Sequence, residues 1–263
     1  MLEPTPEQRP PDAPLLGEGP PSIEDRRWRP RILPVERVAA AFEVILCSGF
    51  PTQFIIVSVL TTFGMRVRLA NGSLSPHFVF ALTLIDTLLL VGFVCFFLRA
   101  HRESIRGTLF GWRPAREVVV GLLLIPASFV VVLVVLLIVQ IVAPSLHNVP
   151  HNPLQDLADT RLDAILLAFT VMIAGGIREE IQRGFVLRRF EQYLGGGTGG
   201  IIVFSVLFGL GHIEQGYDVS VATAVLGAFW GIIYLRRRSV IGPLIGHAGF
   251  NLAQVLKLIA VGA

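Results

Sequence analysis

Residues 77–98 read HFVFALTLIDTLLLVGFVCFFL, with one carboxylate, Asp86, and no Lys or Arg. A run of this length spans a hydrocarbon core as a helix, and lipid leaves little choice, because each backbone N–H and C=O must be satisfied within the segment. Comparable stretches recur at about 39–63, 117–142, 161 onward into GGIREEIQRGF, 200–213, 219–235 and 240–259. The pattern predicts an all-α polytopic transmembrane helical bundle of about seven spans, or eight if FGWRPAREV forms a re-entrant or amphipathic element. Pro51 and Pro126 fall inside two of the spans and predict kinks. Composition agrees: charged residues are 16% of the chain, against about 25% in a soluble domain. A transmembrane β-barrel would show short alternating segments instead.

Residues 1–35 are rich in proline and charge and predict a disordered cytoplasmic tail, leaving 36–263 as the helical domain. The tail lacks the apolar core and small-residue cleavage site of a signal peptide. Arg26, Arg27, Arg29, Arg31 and Arg37 precede the first run, and Arg99, Arg102, Arg106, Arg113 and Arg116 follow the second. Arg188, Arg189 and the cluster Arg236–Arg238 complete a pattern that predicts a cytoplasmic N-terminus. The segment APSLHNVPHNPLQDLADT has no Lys or Arg and is expected outside. Cys47 and Cys95 sit in apolar runs, as small core residues rather than a disulfide scaffold. No clustered basic patch with a binding motif supports a nucleic-acid partner. Gly227-x-x-x-Gly231 and Gly242-x-x-x-Gly246 predict close helix packing.

Ionisable groups in apolar segments must be neutralised, paired or wetted, so each is a candidate for function. Glu179 and Glu180 point about 100° apart on a helix, and Arg183 lies within reach of either. Arg178 is expected to snorkel to the surface. His247 and Asn251, four apart, share a face and can aim two donors at one oxygen, as an oxyanion requires, or can hold helices together. His212 ends a short apolar run, while Asp86 is expected to pair with an arginine or histidine of a neighbouring helix. Two carboxylates, two imidazoles and an amide suit hydrolysis by an activated water. Glu179, His212 and His247 equally suit a Zn2+ with an open water position, although HExxH is absent.

EEIQR at Glu179–Arg183, FGLGH at Phe208–His212 and HAGFN at His247–Asn251 occur in the order of three motifs known together in one family. In these, and in the FGWRP lead-in, residues 110–260 resemble the CAAX-protease and bacteriocin-processing (Abi) membrane proteins. The resemblance implies an intramembrane endopeptidase with Glu179 activating water, Glu180 supporting it, His212 as the partner histidine, and His247 and Asn251 as the oxyanion site. Its eukaryotic members remove the last three residues of prenylated CAAX proteins, and bacterial relatives are linked to bacteriocin maturation or immunity. Both glutamate-dependent and metal-dependent mechanisms have been advanced for the family. One departure stands out: the family pattern EExxxR has three residues between glutamates and arginine, and this chain has two. Aligning the glutamates keeps both carboxylates with Arg183 as their support; aligning the arginine puts Arg178 in the first-glutamate position.

The expected partners are therefore the lipid bilayer and a membrane-associated protein or peptide substrate, in a bacterial inner membrane, with oligomeric state left open. The alternatives are a catalytically inactive scaffold or immunity-type binding protein using the same polar cluster, and a small-solute transporter, which calls for a continuous polar path or inverted repeats.

Overall fold

The computed structural model describes residues 32–261 except 112, 113, 151 and 159. The proline-rich segment and the FGWRP tryptophan lie outside that set. From Val35 onward the chain forms one compact unit. Its elements in order are α1 (Pro34–Leu46), α2 (Phe50–Thr62), α3 (Pro76–Ala100), α4 (Pro114–Val142), α5 (Arg161–Val171), a π-helical segment (Met172–Arg178), α6 (Glu179–Tyr193), α7 (Gly197–Leu210), α8 (Tyr217–Arg237) and α9 (Ile241–Val261). Among the described residues there is no β-sheet, only an isolated bridge between Arg68 and Leu74.

The expectation of seven spans is overturned. Among the described residues only α3, α4 and α8 are long and apolar enough to cross a membrane, with α1 and α2 together a fourth if a pair bent by 42° counts as one span. The first, fourth and fifth apolar runs each fall short for a local cause. The first is cut at Gly49, whose φ of +87° only glycine adopts freely, and Pro51 starts α2 rather than kinking a continuous helix. Pro126, by contrast, sits inside an unbroken α4. The run beginning at 161 gives way after α5 to π geometry and then to the charged α6. Helix α7 has 14 residues, about 21 Å of rise against a core of about 30 Å. Helix α9 carries His247, Asn251, Gln254 and Lys257 on an otherwise apolar run. The residues of FGWRPAREV from Pro114 onward open α4 and form no separate element.

Caps fix where helices begin. Ser75 accepts the Phe78 N–H ahead of α3, and Thr160 accepts the Asp163 N–H at 3.1 Å ahead of α5. Long-range ion pairs then fix which ends lie together. Arg237 at the end of α8 donates Nε and Nη2 to Glu117 at the start of α4, both at 2.7 Å, and Arg238 pairs with Glu191 of α6. Arg189 pairs with Glu43 of α1 and with Glu103 just beyond α3. The arginine-rich ends thus gather at one end of the bundle. At the other, His147 meets Asp218 at 2.7 Å and Asn152 donates to Gln215. The protein is membrane-associated and multi-pass. Its main core joins Leu90, Val94 and Leu98 of α3 to Phe185 and Leu187 of α6 and Tyr234 of α8.

Candidate active site

The segment between α5 and α6 carries the first motif, and its backbone widens there into a π-helix. Such turns are rare and concentrate at functional sites. Gly175 lies inside this turn, buried under α9. A Cβ on it would collide with Asn251 Nδ2 and stand 3.2 Å from His247 Nε2. The missing side chain is therefore what admits both residues, and their four-residue spacing delivers them to one spot, as the sequence predicts.

Glu180 is buried to 1% exposure, and its Oε1 lies 2.8 Å from His247 Nδ1. Arg183 forms an ion pair with the same oxygen, so the arginine serves Glu180, three residues away, rather than Glu179, four residues away. Although that pair is close, none of the Arg183 nitrogens is aligned for a hydrogen bond. Its guanidinium is surrounded by rings instead, 5.0 Å from those of Phe204 and Phe208 and 5.4 Å from Trp230. Trp230 also stacks on His247 at 3.8 Å between centroids, fixing the plane of the imidazole.

Glu179 is held more loosely. Its Oε2 lies 3.8 Å from His247 Nε2, beyond direct hydrogen bonding, and its Oε1 lies 3.4 Å from Arg178 Nη2. His247 is thus flanked by a carboxylate at each ring nitrogen, Glu180 at Nδ1 and Glu179 at Nε2. Arg178 does not snorkel to the surface: its side chain is 12% exposed and pairs with Asp86. That pair meets the expectation that Asp86 finds a basic partner on another element. Thr52 and Gln53 of α2 donate to the same carboxylate.

His212 follows α7, and its Nδ1 donates to the Phe208 carbonyl at 2.8 Å, leaving Nε2 as the acceptor in the neutral ring. His212 and Glu179 line one cleft of about 280 Å³, with Asp86, Arg178, Gln53 and Gln182 as further polar walls. The Phe208 ring stands between the two histidines, 4.9 Å from His212 and 6.2 Å from His247. Glu179 is thus shared by two groups: it lines the cleft with His212 and lies beside His247, whereas Glu180, His247 and Asn251 do not line that cleft, and His212 touches neither glutamate directly among the contacts described.

Glu179, His212 and His247 do not fit a zinc site as they stand. Among the described residues no group of three or more His, Cys, Asp or Glu is arranged to hold a metal ion. With His247 Nδ1 engaged by Glu180 and His212 Nδ1 by a carbonyl, Nε2 is the ligand atom each ring could offer; the misfit is that the groups are not gathered around one point, not the donor chemistry.

Trp230, Thr52, Gln53 and Gln182 were not singled out by sequence. Gln182 Nε2 donates to the Cys47 carbonyl at 2.8 Å, closing the break between α1 and α2 over the cleft. Its only signal in the sequence is an amide inside the charged motif.

No curated protein and no solved structure matches the chain. Residues 161–253 match a family model described as Type II CAAX prenyl endopeptidase Rce1-like, a narrower region than the 110–260 expected from the motifs. The match covers the part of the chain, α5 into α9, that carries Glu179, Glu180, Arg183, His212, His247 and Asn251.

Proposed function

We propose that the chain is an intramembrane endopeptidase hydrolysing a peptide bond of a membrane-associated protein or peptide. The observation that carries this is Glu179 standing between two groups: its Oε2 is 3.8 Å from His247 Nε2, which lies near Asn251, and Glu179 also lines a cleft with His212. In this reading a water in the cleft gives one proton to Glu179 as its oxygen adds to the peptide carbonyl. His212 accepts a hydrogen bond from that water at Nε2 and so orients it. Negative charge developing on the carbonyl oxygen is met by Asn251 Nδ2–H and His247 Nε2–H. The proton on Glu179 then passes to the leaving amine as the C–N bond breaks, giving a carboxylic acid, which keeps water's second proton, and an amine. Glu180, held by Arg183, keeps the imidazole oriented through Nδ1, and Trp230 keeps it flat.

The positive-inside rule sets the arginine-rich end in the cytoplasm of a bacterial inner membrane. Nine residues of α6 separate Glu180 from Arg189, so hydrolysis takes place about 13 Å inside that end. The test is cleavage of membrane-associated peptides by the purified protein and by Glu179→Gln. We expect the variant to lose more than about 2 kcal/mol of transition-state stabilisation, roughly 30-fold in rate. Equal rates would remove Glu179 from the chemistry.

A non-catalytic binding protein is favoured by one feature, the mutual neutralisation of Glu180, His247 and Arg183 in a buried cluster. A partner bound equally by the native chain and by Glu179→Gln, with no cleavage by either, would select it.

A further inference from the structure

Asp86 lies in α3, outside the matched region, and is 0% exposed. Buried carboxylates are held by donors, and this one has three sources: Thr52 Oγ1, Gln53 Nε2 at 3.2 Å, and Arg178 Nη1. The same Thr52 hydroxyl lies 2.9 Å from the Gly49 carbonyl, the two acceptors sharing its one hydrogen, so the anchor is built into the break between α1 and α2. Arg178 therefore stands between two carboxylates of unequal claim. It pairs closely with Asp86 through Nη1, while Nη2 lies 3.4 Å from Glu179, longer than the 2.7–2.9 Å of a good charged hydrogen bond. Its Nε is buried and has no hydrogen-bond partner among the described residues. The other groups facing Glu179 are His247 at 3.8 Å and, across the cleft, His212; neighbouring Glu180 is occupied by His247 and Arg183.

We infer that Asp86 is a positioning residue for Glu179, acting by holding Arg178 away from full pairing with that carboxylate. Arg178 orients Glu179 through Oε1 without sequestering it, and Oε2 stays open beside His247 Nε2. Without the anion at Asp86, the guanidinium has one carboxylate left within reach, and that is Glu179. A bidentate pair there would occupy both oxygens of the group that must take a proton. The inference rests on the assignment of Glu179 as the water-activating residue; the arrangement of charges behind it does not.

The test compares the native chain, Asp86→Asn, and Asp86→Asn with Arg178→Gln, all full-length and purified in detergent. Two readouts are needed. In peptide cleavage, Asp86→Asn is expected to lower kcat at least 10-fold while KM stays within about threefold. The double variant, which removes the misdirected cation, is expected to recover at least threefold over the single one. A merely structural Asp86 predicts the opposite, a double variant no better than the single. The second readout is labelling of Glu179 by a hydrophobic carbodiimide, followed by mass spectrometry. The expected order is slowest in Asp86→Asn, intermediate in the native chain and fastest in the double variant. Equal labelling in all three overturns the inference. Should the native chain cleave nothing, the proposed function fails, and the labelling order still decides whether Asp86 restrains Arg178. The double variant is neutral and close to native in shape, so it serves if Asp86→Asn alone does not fold.

Discussion

Helix α6 carries two buried arginines six residues apart, and they are treated in opposite ways. Arg189 is 0% exposed and satisfied at two of its three nitrogens: Nε to Glu43 at 2.6 Å, and Nη1 to Gln192 at 2.9 Å and to Glu103 in ion-pair contact, while Nη2 has no hydrogen-bond partner among the described residues. Glu43 in turn meets His101 Nε2 at 2.6 Å, so α1, α6 and the end of α3 are tied at one point. Arg183, with a side chain 1% exposed, has the Glu180 carboxylate and three aromatic rings, and all three of its guanidinium nitrogens lack an aligned hydrogen bond. Removing a guanidinium from water without replacing its hydrogen bonds costs several kcal/mol. The fold tolerates that cost at Arg183, where the carboxylate it balances also orients an imidazole. It avoids most of it at Arg189, where the charge only joins helices.

Breaking the staple should produce the largest effect. Arg189→Met leaves buried Glu43 with only His101 and partly buried Glu103 with only the longer Arg188 contact, and we expect a loss of about 3 kcal/mol of stability, read from thermal unfolding in detergent. Cleavage per folded molecule should be unchanged; a parallel fall in kcat would mean that the two clusters act as one. Gly175→Ala is the converse. The added methyl displaces Asn251 and crowds His247, so we expect about a 100-fold loss of kcat, or roughly 2.7 kcal/mol, from a single methyl group. Its stability cost should be the smaller number, about 1–3 kcal/mol, as for other overpacked cores. Trp230→Phe sharpens the comparison more gently. It weakens the stack on His247 and should lower kcat about fivefold, near 1 kcal/mol. Stability should barely move, because the indole Nε1 that is lost has no hydrogen-bond partner among the described residues.

The same contrast explains what could be read from the chain beforehand. Helices α3, α4 and α8 were legible because each is a continuous apolar run, and a run carries its own length. The broken spans were not, since a glycine at positive φ and a π-turn look like any other small apolar residues in a hydropathy pattern. In the site, His247 and Asn251 were legible from their four-residue spacing, and the glutamates from their charge. The choice of Arg183 for Glu180 rather than Glu179 was not, because spacings of three and four are equally good on a helix and only the tertiary surroundings decide. Arg178 and Asp86 are 92 positions apart. Asp86 announced itself as a carboxylate in an apolar run, but nothing local named its partner.

The smallest effect tests whether the staple is ionic in origin. Burial alone pushes the Glu103 carboxyl up, but hydrogen bonding and charge from Arg189, followed by Arg188, outweigh it and hold the group below its ordinary value. A carboxyl whose folded pKa is depressed contributes stability above its unfolded pKa, near 4.3, and that contribution is lost as pH falls through the lower folded value. Thermal unfolding of the native chain should therefore be flat in this respect from pH 7 to about 5 and decline below about 4.3. Glu103→Gln should start less stable at pH 7 and show a shallower decline, with the two curves converging in acid. The side chain is 15% exposed, so solvent screens part of the interaction and the separation at pH 7 should be modest. If the two proteins kept a constant separation down to pH 3, shape and packing would hold α3 to α6 rather than charge, and Arg189 would differ from Arg183 only in its number of hydrogen bonds.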